Sequence, residues 1–116
     1  MNDVLLTGRF TRDPIIMSGK KAKAAKFNIT AKNNSGRADY INCVTFNQRA
    51  DYIEKNCRKG SLITVHGYLH TSSYVKDGTR IYNTEVLVDK LETYGAKNDV
   101  INYDEDIEPM DDLPFD

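Results

Sequence analysis

The 116-residue chain contains no tryptophan, three prolines and two cysteines. Two cysteines, Cys43 and Cys57, are too few for a disulfide scaffold or a four-ligand zinc site, so we expect two reduced, buried thiols. No apolar run approaches the roughly 20 residues of a membrane span. Residues 1–10 lack the basic start and the long apolar stretch of a signal peptide. These absences predict a soluble cytoplasmic protein with no membrane partner.

Basic residues are missing from the last part of the chain. Residues 98–116 carry eight acids and no Lys or Arg, which gives them a net charge of −8. All 16 Lys and Arg lie in residues 1–97 beside nine acids, so that segment has a net charge of +7. A basic body with an acidic tail points to a polyanionic ligand for the body. The alternative is a basic surface that serves only solubility.

Alternation of apolar and polar residues predicts five strands. They cover residues 2–10, 25–31, 40–46, 62–75 and 80–94. Asp13-Pro14 ends the first strand, residues 18–21 form a turn, and Gly67 bends the fourth strand. Asp77-Gly78 is a strong signal for a hairpin between the last two strands.

The period changes to that of a helix in residues 47–59. Ala50, Ile53 and Cys57 follow an i, i+3, i+7 spacing, with Asn47 as the expected N-cap and Gly60 as a left-handed terminator. Five strands with one short helix between the third and the fourth are the layout of an OB-fold, a five-stranded Greek-key barrel. We expect the domain to span residues 1–97 and residues 98–116, which have no period, to form a flexible acidic tail.

Catalysis has little support in the sequence. His66 and His70 would lie about 13 Å apart in a strand, too far to share a metal ion. No glycine-rich phosphate loop opens a helix, and neither cysteine has an evident histidine partner. We therefore expect no enzyme activity, no metal and no cofactor.

Binding of unpaired nucleic acid needs cations for the phosphates and flat rings for the bases. The candidate rings are Tyr40, Phe46 and Tyr74, with burial in the barrel core as the alternative for each. No basic recognition helix points to duplex DNA. The candidate cations for a phosphate track, each of which has a plain solvated role as its alternative, are Arg9, Arg12, Lys20, Lys21, Lys23, Lys26, Lys32, Arg37, Arg58, Lys59, Lys76 and Arg80.

Several segments resemble one family, the bacterial and phage single-stranded DNA-binding proteins. Residues 2–14, 27–31, 58–69 and 82–86 resemble its strands and helix exit in order and spacing. The resemblance implies an OB-fold that binds single-stranded DNA without sequence preference in replication, recombination and repair. It also implies a homo-oligomer, usually a tetramer, with a dimer as the alternative. The family's stacking positions are often Trp; here they match Tyr40 and Tyr74, with Phe46 as a third.

The end of the chain resembles the acidic tip by which this family recruits replication, recombination and repair enzymes. Here two acids are followed by the short apolar segment Leu113-Pro114-Phe115, which we call the apolar plug, and then by one further acid, Asp116. The residues of the expected partner-binding tip are Asp111, Asp112, Leu113, Pro114 and Phe115.

Two other functions remain open from the residues alone. The basic face of an OB-fold adaptor would bind acidic proteins, and an RNA-binding barrel would share the rings and cations. Direct comparison of oligothymidine with acidic protein, and of DNA with RNA, separates these alternatives from the first.

Overall fold

A computed structural model describes residues 1–94 of the chain. The predicted tail and its tip, residues 98–116, lie outside the described residues. The elements in chain order are the strands β1 (Val4–Arg9), β2 (Ile15–Ser18), β3 (Lys23–Lys32) and β4 (Ala38–Phe46), the helix α1 (Gln48–Asn56), and the strands β5 (Leu62–Lys76) and β6 (Thr79–Tyr94). The helix between β4 and β5 and the dominance of strands confirm the predicted all-β OB-fold class.

The six strands form one sheet in the order β1-β5-β6-β4-β3-β2. All neighbours are antiparallel except β4 and β6, which pair in parallel at Cys43–Val86 and Val44–Leu87. The two ends of the sheet meet where an isolated bridge joins Phe10 to Ile29. The sheet thereby curls into a barrel around one apolar interior.

The strand count differs from the sequence prediction of five. The first strand does end before Asp13-Pro14, but the chain then resumes pairing with β3 from Ile15 to Ser18 as β2. Because the chain bends at Asp13-Pro14, β1 pairs with β5 at one end of the sheet and β2 pairs with β3 at the other. The predicted turn that follows β2 is present, with Gly19 N donating to Ala22 O at 2.7 Å.

Gly8 sets how closely β1 approaches β3. A Cβ atom placed on Gly8 would lie 1.5 Å from the carbonyl oxygen of Thr30. No side chain fits in that space, so only glycine permits the contact. Barrel closure therefore depends on this residue.

The helix α1 buries Ala50 and Ile53 on the barrel, as the spacing predicts. Asn47 occupies the N-cap position, but its side chain makes no cap hydrogen bond, and its φ of 58° is unusual for a non-glycine residue. Its backbone N instead donates to Lys23 O at 2.8 Å. The expected side-chain cap is therefore wrong, because this residue ties the helix start to β3. Gly60 does adopt the predicted positive φ, at 91°.

The main core contains Ile29, Ile53, Ile63, Val65 and Leu91, which are at most 1% exposed. Phe10 and Phe27 stack within it at a centroid distance of 4.9 Å, as expected for core aromatics. Both cysteines are buried free thiols, and burial raises the pKa of Cys43 to about 12 and that of Cys57 to about 11. Within residues 1–94, no helix has the length and apolar composition needed to cross a membrane.

The strands β5 and β6 form a long hairpin that projects from the barrel. Asp77 and Gly78 form its turn with φ values of 52° and 79°, as the sequence predicts. A register irregularity between His66 and Gly67 marks the predicted bend. The hairpin thus carries Tyr74 well away from the core.

Candidate nucleic-acid interface

Strand register places Tyr40 and Tyr74 on the same side of the sheet. Cross-strand partners project to one side, as do alternate residues along a strand. Tyr40 and Val44 share a side of β4, Val44 pairs with Leu87, and Ile81 on the same side of β6 pairs with Tyr74. We call this side of β2 to β6 the tyrosine face.

Both tyrosine rings are open to solvent. Tyr40 is 68% exposed and Tyr74 is 54% exposed, so their predicted exposure is confirmed. An exposed ring on a rigid strand offers a flat apolar surface on which an unpaired base can stack. Whether either ring contacts a ligand stays a prediction.

Phe46 lies on the same face but is buried. Its residue is 6% exposed and packs in a small apolar cluster with Ala24, Val44 and Leu87. A base cannot stack on a ring that is already covered. The expectation that Phe46 offers a third exposed ring is therefore corrected: in this structure it packs.

Three of the predicted cations share the tyrosine face. Lys26 pairs in register with Val44, Lys32 follows on the same side of β3, and Lys76 lies near the hairpin tip on the side of Tyr74. Positive charge beside exposed rings is the arrangement that unpaired nucleic acid requires. The loops at the ends of these strands add exposed Lys20, Lys21 and Arg37. Arg12, also exposed, lines a pocket on this face.

The side chain of Lys23 forms ion pairs with two carboxylates of the helix α1. Its Nζ lies 2.8 Å from Asp51 Oδ1 and also contacts Glu54, and these hydrogen bonds raise the pKa of the ammonium group. It belongs to the opposite side of β3 from Lys26, because the two are three residues apart. The prediction that Lys23 belongs to a phosphate track is therefore not supported by its position.

Other predicted cations also hold backbone or hairpin groups. Arg9 donates to Gly60 O at 2.9 Å, and Arg58 donates to Glu54 O and Cys57 O at the end of the helix. Arg80 donates to Ser73 on the side of the hairpin away from Tyr74. Lys59 is exposed beyond the helix. The structure thus groups Lys26, Lys32 and Lys76 with the rings and places these four elsewhere.

A pocket that the sequence does not reveal opens on the tyrosine face at the level of Asn42 and Glu85. It has a volume of ≈ 210 Å³ and is lined by Arg12, Ile15, Lys26, Phe27, Asn42, Cys43, Asn83 and Glu85. Glu85 is only 7% exposed. The sequence does contain a signal for this site. Glu85 directly precedes three apolar residues of a strand, and an acidic side chain is costly to bury at such a position.

The face has no features of a catalytic centre among the residues described. Within residues 1–94, no three His, Cys, Asp or Glu side chains are placed to hold a metal ion. His66 lies away from the tyrosine face, with Nδ1 2.8 Å from Asp89 Oδ1 and Nε2 2.5 Å from Asp3 Oδ1. Those hydrogen bonds, the one to Asp89 first, raise the pKa of the imidazole. Its role is to tie the start of the chain to β5 and β6.

Comparison with known proteins agrees with this geometry. Residues 1–94 match the single-strand binding protein family. A single-stranded DNA-binding protein of Fusobacterium nucleatum is 39% identical over 106 residues, which are 84% of this chain and 69% of that protein. Single-stranded DNA-binding protein B of Bacillus subtilis is 40% identical over 99 residues, or 78% of this chain and 87% of its own. Single-stranded DNA-binding protein 1 of Staphylococcus aureus is 38% identical over 84% of this chain and 68% of its own.

Proposed function

The chain belongs to the single-strand binding protein family, and we propose that it binds single-stranded DNA through the tyrosine face, without sequence readout along most of the strand. Bases stack on Tyr40 and Tyr74, and Lys26, Lys32 and Lys76 neutralise phosphates. The observation that carries this proposal is the exposure of both rings on one side of the sheet. The family is one of binding proteins, which points away from an enzyme.

A titration with oligothymidine tests the proposed function. Stacking of bases on exposed rings should quench tyrosine fluorescence, and affinity should fall with salt at about −0.7 per neutralised phosphate. Oligouridine and a folded acidic protein serve as competitors. No binding of oligothymidine at low salt contradicts the proposal, and preference for oligouridine or for the acidic protein reassigns the ligand.

The acidic tail supports a second part of the proposal. Asp111, Asp112, Leu113, Pro114 and Phe115 join negative charge to an apolar plug, which suits a basic-rimmed pocket on a replication, recombination or repair enzyme. Removal of residues 98–116 should abolish capture of such enzymes and preserve or tighten DNA binding, because the tail carries a charge of −8. Equal capture by the truncated chain contradicts this role.

The edge of the sheet supports self-association, with a homotetramer expected and a dimer as the alternative. The first part of β1, before it meets β3 at Gly8, is an open edge of the sheet, and Leu5 there is 71% exposed. Open edges with exposed apolar residues favour pairing with another chain. Light scattering with and without a long oligonucleotide gives the stoichiometry, and a monomer mass throughout contradicts self-association. Bacterial relatives support action in the cytoplasm of a bacterial cell or a phage-infected host.

A further inference from the structure

Glu85 is an unusual residue for a surface that binds a polyanion. It is 93% buried, since 7% of it is exposed, and it lies on the tyrosine face at the level of Asn42, beyond Tyr40 as seen from Tyr74. Among the hydrogen bonds and ion pairs of residues 1–94, none is made by its carboxylate. No fully enclosed side-chain oxygen or nitrogen of the described residues lacks a hydrogen-bond partner, so the unpaired Glu85 oxygens are open to the surface of this face, where they repel nearby phosphates. Its placement therefore calls for a ligand group that donates a hydrogen bond.

The pocket above Glu85 has the size and the polar groups for one small ring. Its volume of ≈ 210 Å³ is below the roughly 300–1,000 Å³ of pockets for drug-sized ligands. Ile15 supplies an apolar wall, and Asn42 and Asn83 supply amides. The Oδ1 of Asn42 already accepts a hydrogen bond from Asn28 Nδ2 at 2.9 Å, which leaves its own amide N–H groups as donors.

Base chemistry distinguishes the ligands that such a pocket accepts. Cytosine presents an N4 amino donor beside the N3 and O2 acceptors, and a carboxylate is a suitable partner for N4. The amide of Asn42 and the guanidinium of Arg12 are donors for the two acceptors. Thymine places the O4 acceptor where cytosine has N4, so its O4 would face the Glu85 carboxylate with no proton between them.

We propose that this pocket receives a cytosine from the bound strand, with Glu85 accepting from the N4 amino group. The inference rests on the proposed single-stranded DNA binding and adds a local base preference to it. Stacking on Tyr40 and Tyr74 remains independent of sequence, while the pocket at Glu85 favours cytosine over thymine.

The test compares oligodeoxycytidine with oligothymidine of equal length on the wild-type chain and on Glu85→Gln. For each protein we take the ratio of its affinity for oligodeoxycytidine to its affinity for oligothymidine. We expect this ratio to be at least about fivefold larger for the wild type than for Glu85→Gln. Differences between the free oligomers cancel in this double ratio. Glu92→Gln is the matched control, because it removes an acid from the same strand at a different pocket.

A probe that needs no variant protects the test against misfolding of Glu85→Gln. An oligomer of N4,N4-dimethylcytidine lacks the N4 donor, so the wild type should bind it more weakly than oligodeoxycytidine. The same double ratio after Glu85→Gln, or equal wild-type affinities for the dimethylated and the unmodified cytidine oligomers, overturns the pocket assignment alone. Failure of every oligomer to bind at low salt overturns the proposed function instead.

Discussion

Tyr74 and Tyr82 project from opposite sides of the same hairpin. Tyr74 pairs in register with Ile81, and Tyr82 pairs with Ser73. The two pairs are adjacent in the ladder, so their side chains point to opposite sides of the hairpin. Both rings are open to solvent, at 54% and 72% exposure. The hairpin therefore carries two tyrosines of similar exposure, of which only Tyr74 belongs to the tyrosine face.

Replacement of Tyr74 by alanine should weaken binding of oligothymidine by about 1–3 kcal/mol, the cost of losing one stacked base. Tyr82→Ala is the matched control and should bind as the wild type does. Fluorescence anisotropy with a labelled oligomer gives both dissociation constants. Equal losses in the two variants would show that the side of the hairpin does not matter.

Lys76 and Lys23 should separate phosphate binding from structural ion pairing. Lys76→Ala removes an exposed cation from the tyrosine face, so the slope of log K against log salt should become shallower by about 0.7. Lys23→Ala breaks the contacts to Asp51 and Glu54, so it should lower the midpoint of unfolding and leave that slope unchanged. An altered slope for Lys23→Ala would place that residue in the interface.

Gly8→Ala should destabilise the barrel by about 3 kcal/mol or more, because the added Cβ has no space beside Thr30 O. Chemical denaturation followed by circular dichroism measures the loss. Thr71→Ala, at an exposed strand position, is the control and should stay within about 0.5 kcal/mol of the wild type. A Gly8→Ala chain as stable as the control would mean that β1 does not close the barrel here.

His66 predicts a dependence of stability on pH. Its hydrogen bonds to Asp89 and Asp3 raise its pKa above the ordinary value of 6.5. The stabilisation by the protonated ring is complete below the unfolded pKa and is lost as the pH rises through the folded pKa. The difference in unfolding free energy between wild type and His66→Gln should therefore be largest near pH 6 and shrink as the pH rises through the raised folded pKa of His66. Asp89→Asn should reduce the same dependence, and a pH-independent difference contradicts the account.

Much of the fold follows from local sequence patterns. Alternation located the strands on either side of the helix, and Asp77-Gly78 located the hairpin turn, because both signals arise from neighbouring residues. The strand β2 was missed because its four residues lie between two turn signals and pair only with β3. Asn47 holds the predicted N-cap position, but its side chain does not cap the helix, because its Oδ1 accepts a hydrogen bond from Lys23 N of β3 at 3.4 Å.

The site was predictable in part. Alternation assigns Tyr40 and Phe46 to one side of a strand, but it does not reveal that an apolar cluster covers Phe46. Lys23 looks like its neighbours in sequence, and only the docked helix brings Asp51 within 2.8 Å of it. Contacts between residues distant in the chain therefore decide which rings and cations remain available.

The central claim is that unpaired bases lie on Tyr40 and Tyr74. The most direct measurement is ultraviolet crosslinking of the wild-type chain to an oligomer containing 5-iododeoxyuridine, with the adducts located by mass spectrometry. The account predicts adducts on Tyr40 and Tyr74 and none on Tyr82, which is exposed on the opposite side of the hairpin. Adducts on Tyr82 with none on Tyr40 or Tyr74, from an oligomer that binds, would contradict it.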